Sequence, residues 1–72
     1  MQRNLIQIQR EFIDTVNSGF ARWSKFGHFP RIYRGAWRRA SGHLSKLGYT
    51  DSQIKVALRD ALDIAELERI AE

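Results

Sequence analysis

The stretch Leu47-Gly48-Tyr49-Thr50-Asp51-Ser52-Gln53-Ile54 carries the end of one helix and the start of the next. Gly48 is a terminator, because glycine enters the left-handed backbone region without steric cost. Thr50 follows it, with Gln53 three residues on, the T-x-x-Q spacing of a capping box. In that motif each side chain takes up the other residue's backbone N–H. Tyr49 before the cap and Ile54 after it are spaced for a hydrophobic staple. The helix that starts here is predicted over 51–71, with Ile54, Ala57, Leu58, Ala61, Leu62 and Ala65 on one face. Val56, Leu67 and Ile70 fall on roughly the opposite side. They offer a strip to a second subunit or to the basic middle of the chain, or are ordinary exposed aliphatics.

Towards the N-terminus, Tyr33, Ala36, Trp37, Ala40, Leu44 and Leu47 form one apolar stripe and predict a helix over 30–47. Pro30 suits its first turn, where no N–H is needed. Before it, Leu5, Ile8, Phe12, Ile13, Val16, Phe20 and Trp23 recur in steps of three and four, and Phe26 stays in phase. These predict a helix over 3–26, although Leu5-Ile6-Gln7-Ile8-Gln9 taken alone alternates like a strand. Gly19 is a candidate kink in this helix, and Gly27 its C-terminal cap. Three amphipathic helices with short connections imply an all-α fold, a compact three-helix bundle in a single domain over 1–72. Self-association through the third helix stays open.

Composition narrows the classes of function. The chain has 72 residues, 43 % of them hydrophobic, and no cysteine, so disulfides and thiolate metal sites are excluded. No apolar run approaches the ~20 residues of a membrane span, and the N-terminus lacks the apolar stretch of a signal peptide. A cytoplasmic location is expected. The formal net charge is +4, but its distribution is lopsided. Between Asp14 and Asp51 there is no acidic residue, while the interval holds Arg22, Lys25, Arg31, Arg34, Arg38, Arg39 and Lys46 with His28 and His43. Beyond it, Asp51, Asp60, Asp63, Glu66, Glu68 and Glu72 outnumber Lys55, Arg59 and Arg69. A basic middle of this kind attracts polyanions.

On a helical projection Arg31, Arg34 and Arg38 gather on one flank of the second helix, and Arg39 and Lys46 on the other. Gly35 and Gly42 lie between them, opposite the apolar stripe. Each interior glycine costs a helix ~1 kcal/mol relative to alanine. Two such glycines framed by arginines mark a surface that a partner approaches closely, and guanidinium groups suit phosphate. The bland alternative is a solvated face whose glycines break the helix. Arg22 and Lys25, with His28 in the turn, extend the patch. Phe20, Trp23, Tyr33 and Trp37 keep core phase, which leaves Phe26 and Phe29 as the rings free to stack on unpaired bases.

The segment from His43 to Ile54 resembles a helix-turn-helix core, with Gly48 at the turn, Tyr49 just after it and Ile54 at a buried position. Leu44 departs from that pattern, where a small alanine is usual. The would-be recognition helix also exposes Asp51, Asp60 and Asp63 against Lys55 and Arg59, which opposes entry into a groove lined by phosphate. The string Leu47-Gly48-Tyr49, Ile54, Ala57-Leu58 is also similar to ubiquitin-associated-type three-helix domains, in which such a loop contacts a protein partner. Any nucleic-acid contact is therefore expected on the second helix and the preceding turn.

Catalytic signatures are missing. There is no cysteine nucleophile, phosphate-cradling glycine loop or H-E-x-x-H motif, and no cofactor is expected. His28 and His43 do not have the spacing of metal ligands on one helix. Asp60, Asp63 and Glu66 step along one helix, but Asp51–Lys55 and Arg59–Asp63 are spaced for ordinary i, i+4 ion pairs. Glu68 and Glu72 in the last turn oppose the helix dipole and leave that end frayed unless a basic group settles it. The expectation is a non-enzymatic accessory or regulatory protein that binds DNA or RNA through Arg31, Arg34, Arg38, Arg39 and Lys46. The alternative is a small inhibitor or adaptor, of the phage type, whose basic face docks on an acidic surface of a larger protein. Adsorption to anionic membrane is a third option, and a homodimer is compatible with each.

Overall fold

The computed structural model describes residues 4–23, 27 and 29–71, and the side chains of all of these except Trp23 and Phe29. The described residues form three helices: α1 (Leu5–Trp23), α2 (Phe29–Lys46) and α3 (Asp51–Ala71). Each packs against the other two, which makes the fold a three-helix bundle. The second and third helices fall within one residue of their expected limits. The expected extension of α1 to Phe26 lies outside the described residues, as does its expected start at residue 3.

Local chemistry explains the boundaries. Asn4 caps α1 in a reciprocal pair: Gln7 N–H donates to Asn4 Oδ1 at 2.8 Å, and Asn4 N–H donates to Gln7 Oε1 at 2.9 Å. The sequence carries this N-x-x-Q box as plainly as the Thr50 one, but an asparagine is less conspicuous as a start signal than Thr50 after a glycine. At the far end of α2, Tyr49 N–H reaches Leu44 C=O at 3.2 Å and Gly48 N–H reaches Ser45 C=O at 3.0 Å. This is a Schellman closure, and Gly48 takes the left-handed backbone it requires, with φ +97°. The expected capping box follows, with Gln53 N–H to Thr50 Oγ1 at 3.2 Å and Thr50 N–H to Gln53 Oε1 at 2.9 Å. Gly27 also has a left-handed φ of +72°, in keeping with a capping role.

Gly19 does not break α1, which runs helically through it to Trp23. Its lack of a side chain serves packing instead. A Cβ at position 19 would sit 2.6 Å from Ile32 Cγ2, closer than carbon atoms approach, so the glycine lets α2 lie against α1. Ile32 is off the Tyr33–Trp37 stripe and was not an expected core residue, yet it is half-buried here.

The core comprises Ile8, Phe12, Ile13 and Val16 from α1, Ala36, Ala40 and Leu44 from α2, and Ile54, Ala57, Leu58, Ala61 and Ala65 from α3. The alanines on α2 and α3 leave room for the larger α1 side chains. Phe20 departs from expectation. It is 41 % exposed, because its ring sits at the edge of the bundle and carries the Arg69 guanidinium 4.6 Å from its centroid. Arg69 also donates to Asn17 Oδ1 at 2.8 Å. The burial expected of Trp23 lies outside the described residues.

Polar ties fix the relative direction of the helices. Gln9 donates to Ala57 C=O at 2.9 Å near the start of both α1 and α3, and Asn17 meets Arg69 near their ends. The two helices therefore run in the same sense, with α2 returning between them. Arg10 forks onto Glu68 with two bonds of 2.7 Å and also reaches Asp14 at 2.7 Å. This is the basic group that the last turn of α3 needed. The Arg10 hydrogen bonds hold the Glu68 carboxyl below its ordinary range, and those to Glu68 and then Asp14 raise the guanidinium above its own. By contrast, the expected Asp51–Lys55 and Arg59–Asp63 pairs are not closed among the described residues. Such exposed pairs contribute ~0.5 kcal/mol at most, too little to outweigh side-chain freedom.

Candidate nucleic-acid interface

α2 is continuous from Phe29 to Lys46, so the glycines at 35 and 42 do not interrupt it. Both face open space, since a Cβ built at either position would meet nothing within 4 Å. Packing therefore does not require glycine at either site. Arg31, Arg34, Arg38, Arg39 and Lys46 are all exposed around them. None of these five side chains makes an ion pair or hydrogen bond among the described residues. The outer surface of α2 is thus a cationic face with stretches of bare helix backbone.

The two flanks of this face have different surroundings. On the α1 side, Arg39 shares a small cavity of about 50 Å³ with Glu11, Thr15 and His43. Arg22 lines a groove with Asp14, Ser18, Gly19 and Ile32. α1 thus brings two carboxylates alongside the arginines of this flank. The acid-free interval seen along the sequence is therefore not acid-free in space. On the other flank, Arg34 and Arg38 border an open groove of about 500 Å³ with Tyr33, Trp37 and Ser41, and no carboxylate among the described residues lines it.

The structure brings together Arg31, Arg34, Gly35, Arg38, Arg39, Gly42 and Lys46 on one helix surface. Arg22 lies across the α1–α2 groove from that surface. Lys25 and His28 lie outside the described residues, as do Phe26 and the side chain of Phe29. By phase, Tyr33 and Trp37 belong to the core. They do pack on it, but both are only half-buried and contribute to the groove wall. The repeated doublet Tyr33-Arg34 and Trp37-Arg38, one helical turn apart, is the signal that could have found them.

A second surface feature lies on α3. Val56, Ile64, Leu67 and Ile70 are exposed, Leu67 and Ile70 to 66 % and 73 %. Among the described residues, no group of three or more histidines, cysteines or carboxylates is placed to hold a metal ion. Among the described residues, no helix is long and apolar enough to cross a membrane. No family model, no curated protein and no solved structure matches this chain.

Proposed function

We propose that this protein is a small nucleic-acid-binding accessory or regulatory protein that holds the phosphate backbone against the outer face of α2. The supporting observation is that Arg31, Arg34, Arg38, Arg39 and Lys46 are exposed, and unpaired among the described residues, around the bare backbone at Gly35 and Gly42. Unpaired guanidinium groups lose little by exchanging water for phosphate, and they form paired, charge-assisted bonds with it. Displaced counterions supply much of the affinity. Contacts of this kind position a duplex or strand without reading its sequence.

Fluorescence-anisotropy titrations against random duplex DNA and single-stranded RNA, at low and at physiological salt, test this reading. Binding that weakens steeply with salt and is lost in Arg34→Glu/Arg38→Glu is the expected result. Retained affinity in that folded variant overturns it. An absence of binding at low salt also overturns it, and assigns the same arginines to an acidic protein surface.

A further inference from the structure

Trp37 and Tyr33 are buttressed from inside the bundle. Phe12 lies 6.0 Å from the Trp37 ring centroid, edge to face, and 6.5 Å from Tyr33. The two rings stand 6.0 Å apart at an interplanar angle of 49°. Packing of this kind fixes the rings, while their half-burial leaves part of each at the groove. The open groove, at about 500 Å³, falls within the ~300–1,000 Å³ of small-molecule sites in general. Arg34 and Arg38, one helical turn apart, stand on its rim without an ionic partner among the described residues. Ser41 Oγ is buried in the same wall and makes no hydrogen bond among the described residues. Among the described residues, fixed aromatic surface and cations without an ionic partner coincide on this flank with no carboxylate, whereas the α1 flank has Glu11 and Asp14, with Phe12 lining only the small cavity beside Arg39 and no aromatic side chain lining the groove beside Arg22.

We propose that this groove takes an unpaired nucleobase, stacked against Trp37 and Tyr33, while Arg34 and Arg38 hold the phosphates on either side of it. The ligand class is therefore single-stranded nucleic acid, since the bases of a duplex are stacked on one another and withhold their faces. The proposal rests on the phosphate-binding reading above and goes beyond it by assigning a role to the base.

The test compares probes of equal phosphate number at one low salt concentration: a labelled single strand, the same strand with every base removed, and a duplex. Ribose and deoxyribose versions of the single strand distinguish RNA from DNA as the source. The intact strand is expected to bind roughly 5- to 140-fold more tightly than the abasic one, the range for one base stacked on an aromatic side chain. Trp37→Leu is expected to remove that difference and leave abasic binding unchanged. Should Trp37→Leu unfold, as read by circular dichroism, the probe comparison decides alone. Equal affinity for intact, abasic and duplex probes overturns the base pocket and leaves phosphate binding standing. Failure of all three probes to bind overturns both.

Discussion

Gly19 and Ile32 form a matched pair, one contributing no side chain and the other a β-branched one. Cγ2 of Ile32 is close to its own backbone and stiff in χ1, so it cannot swing away from a methyl group placed at position 19. Gly19→Ala is expected to destabilise the protein by up to ~2 kcal/mol, an overpacking cost of ~1–3 kcal/mol less a helix-propensity gain of ~1 kcal/mol. Ile32→Ala removes the obstructing atom, so the two substitutions together should cost less than their sum. Urea denaturation of the four proteins of this cycle measures the coupling, and additive effects would contradict the packing role. The sequence offers Gly19 only as a candidate kink within one continuous helix, because a glycine in a string of letters looks the same at a kink and at a helix crossing. Phe20 shows the converse limit. Its phase was right for burial, but its position at the bundle edge placed it under Arg69 instead.

Helix ends and faces were the most legible features at the level of elements. The Thr50/Gln53 box, Gly48 and the Tyr33–Leu44 stripe read directly from residue type and spacing, because capping and periodicity are local. Side chains that meet across elements, such as Arg10 with Glu68 and Arg69 with Asn17, leave no trace in spacing and were not foreseen. α2 also carries a test of whether its glycines serve binding. Since a Cβ at 35 or 42 meets nothing, Gly35→Ala/Gly42→Ala should stabilise the helix by ~1–2 kcal/mol in total. At ~4–8 °C per kcal/mol for a domain of this size, the melting temperature rises measurably. Binding to a single strand should weaken several-fold, because the added methyl groups hold the phosphate chain away from the backbone. Higher stability with unchanged affinity would show that the bare backbone is not used.

At the scale of the whole molecule, the separation of charge along the chain becomes a separation of surfaces, though not the one the linear pattern implied. The cations of α2 point outward from the bundle, but α1 sets Glu11 and Asp14 beside Arg39 and Arg22. That leaves Arg34 and Arg38 as the least opposed pair. Which acid would neighbour which base depended on how α1 packs against α2, and the acid-free interval from Asp14 to Asp51 could not report it. On the first helix's other side, Asp60 of α3 lines a groove with Leu5 and Gln9, away from the arginine flank. Location and net charge can therefore be separated by changing each surface in turn. Arg34→Gln/Arg38→Gln and Asp60→Asn/Asp63→Asn alter the formal charge by the same amount in opposite directions. The direct measurement is the slope of log affinity against log salt for a single-stranded oligonucleotide, taken for the parent protein and both variants. Phosphate contact through α2 requires the arginine variant to lose about 0.7 from the steepness of the slope for each contact removed, and the aspartate variant to match the parent. Equal and opposite shifts in the two variants would show that only overall charge matters, and would contradict the assignment of the interface to α2.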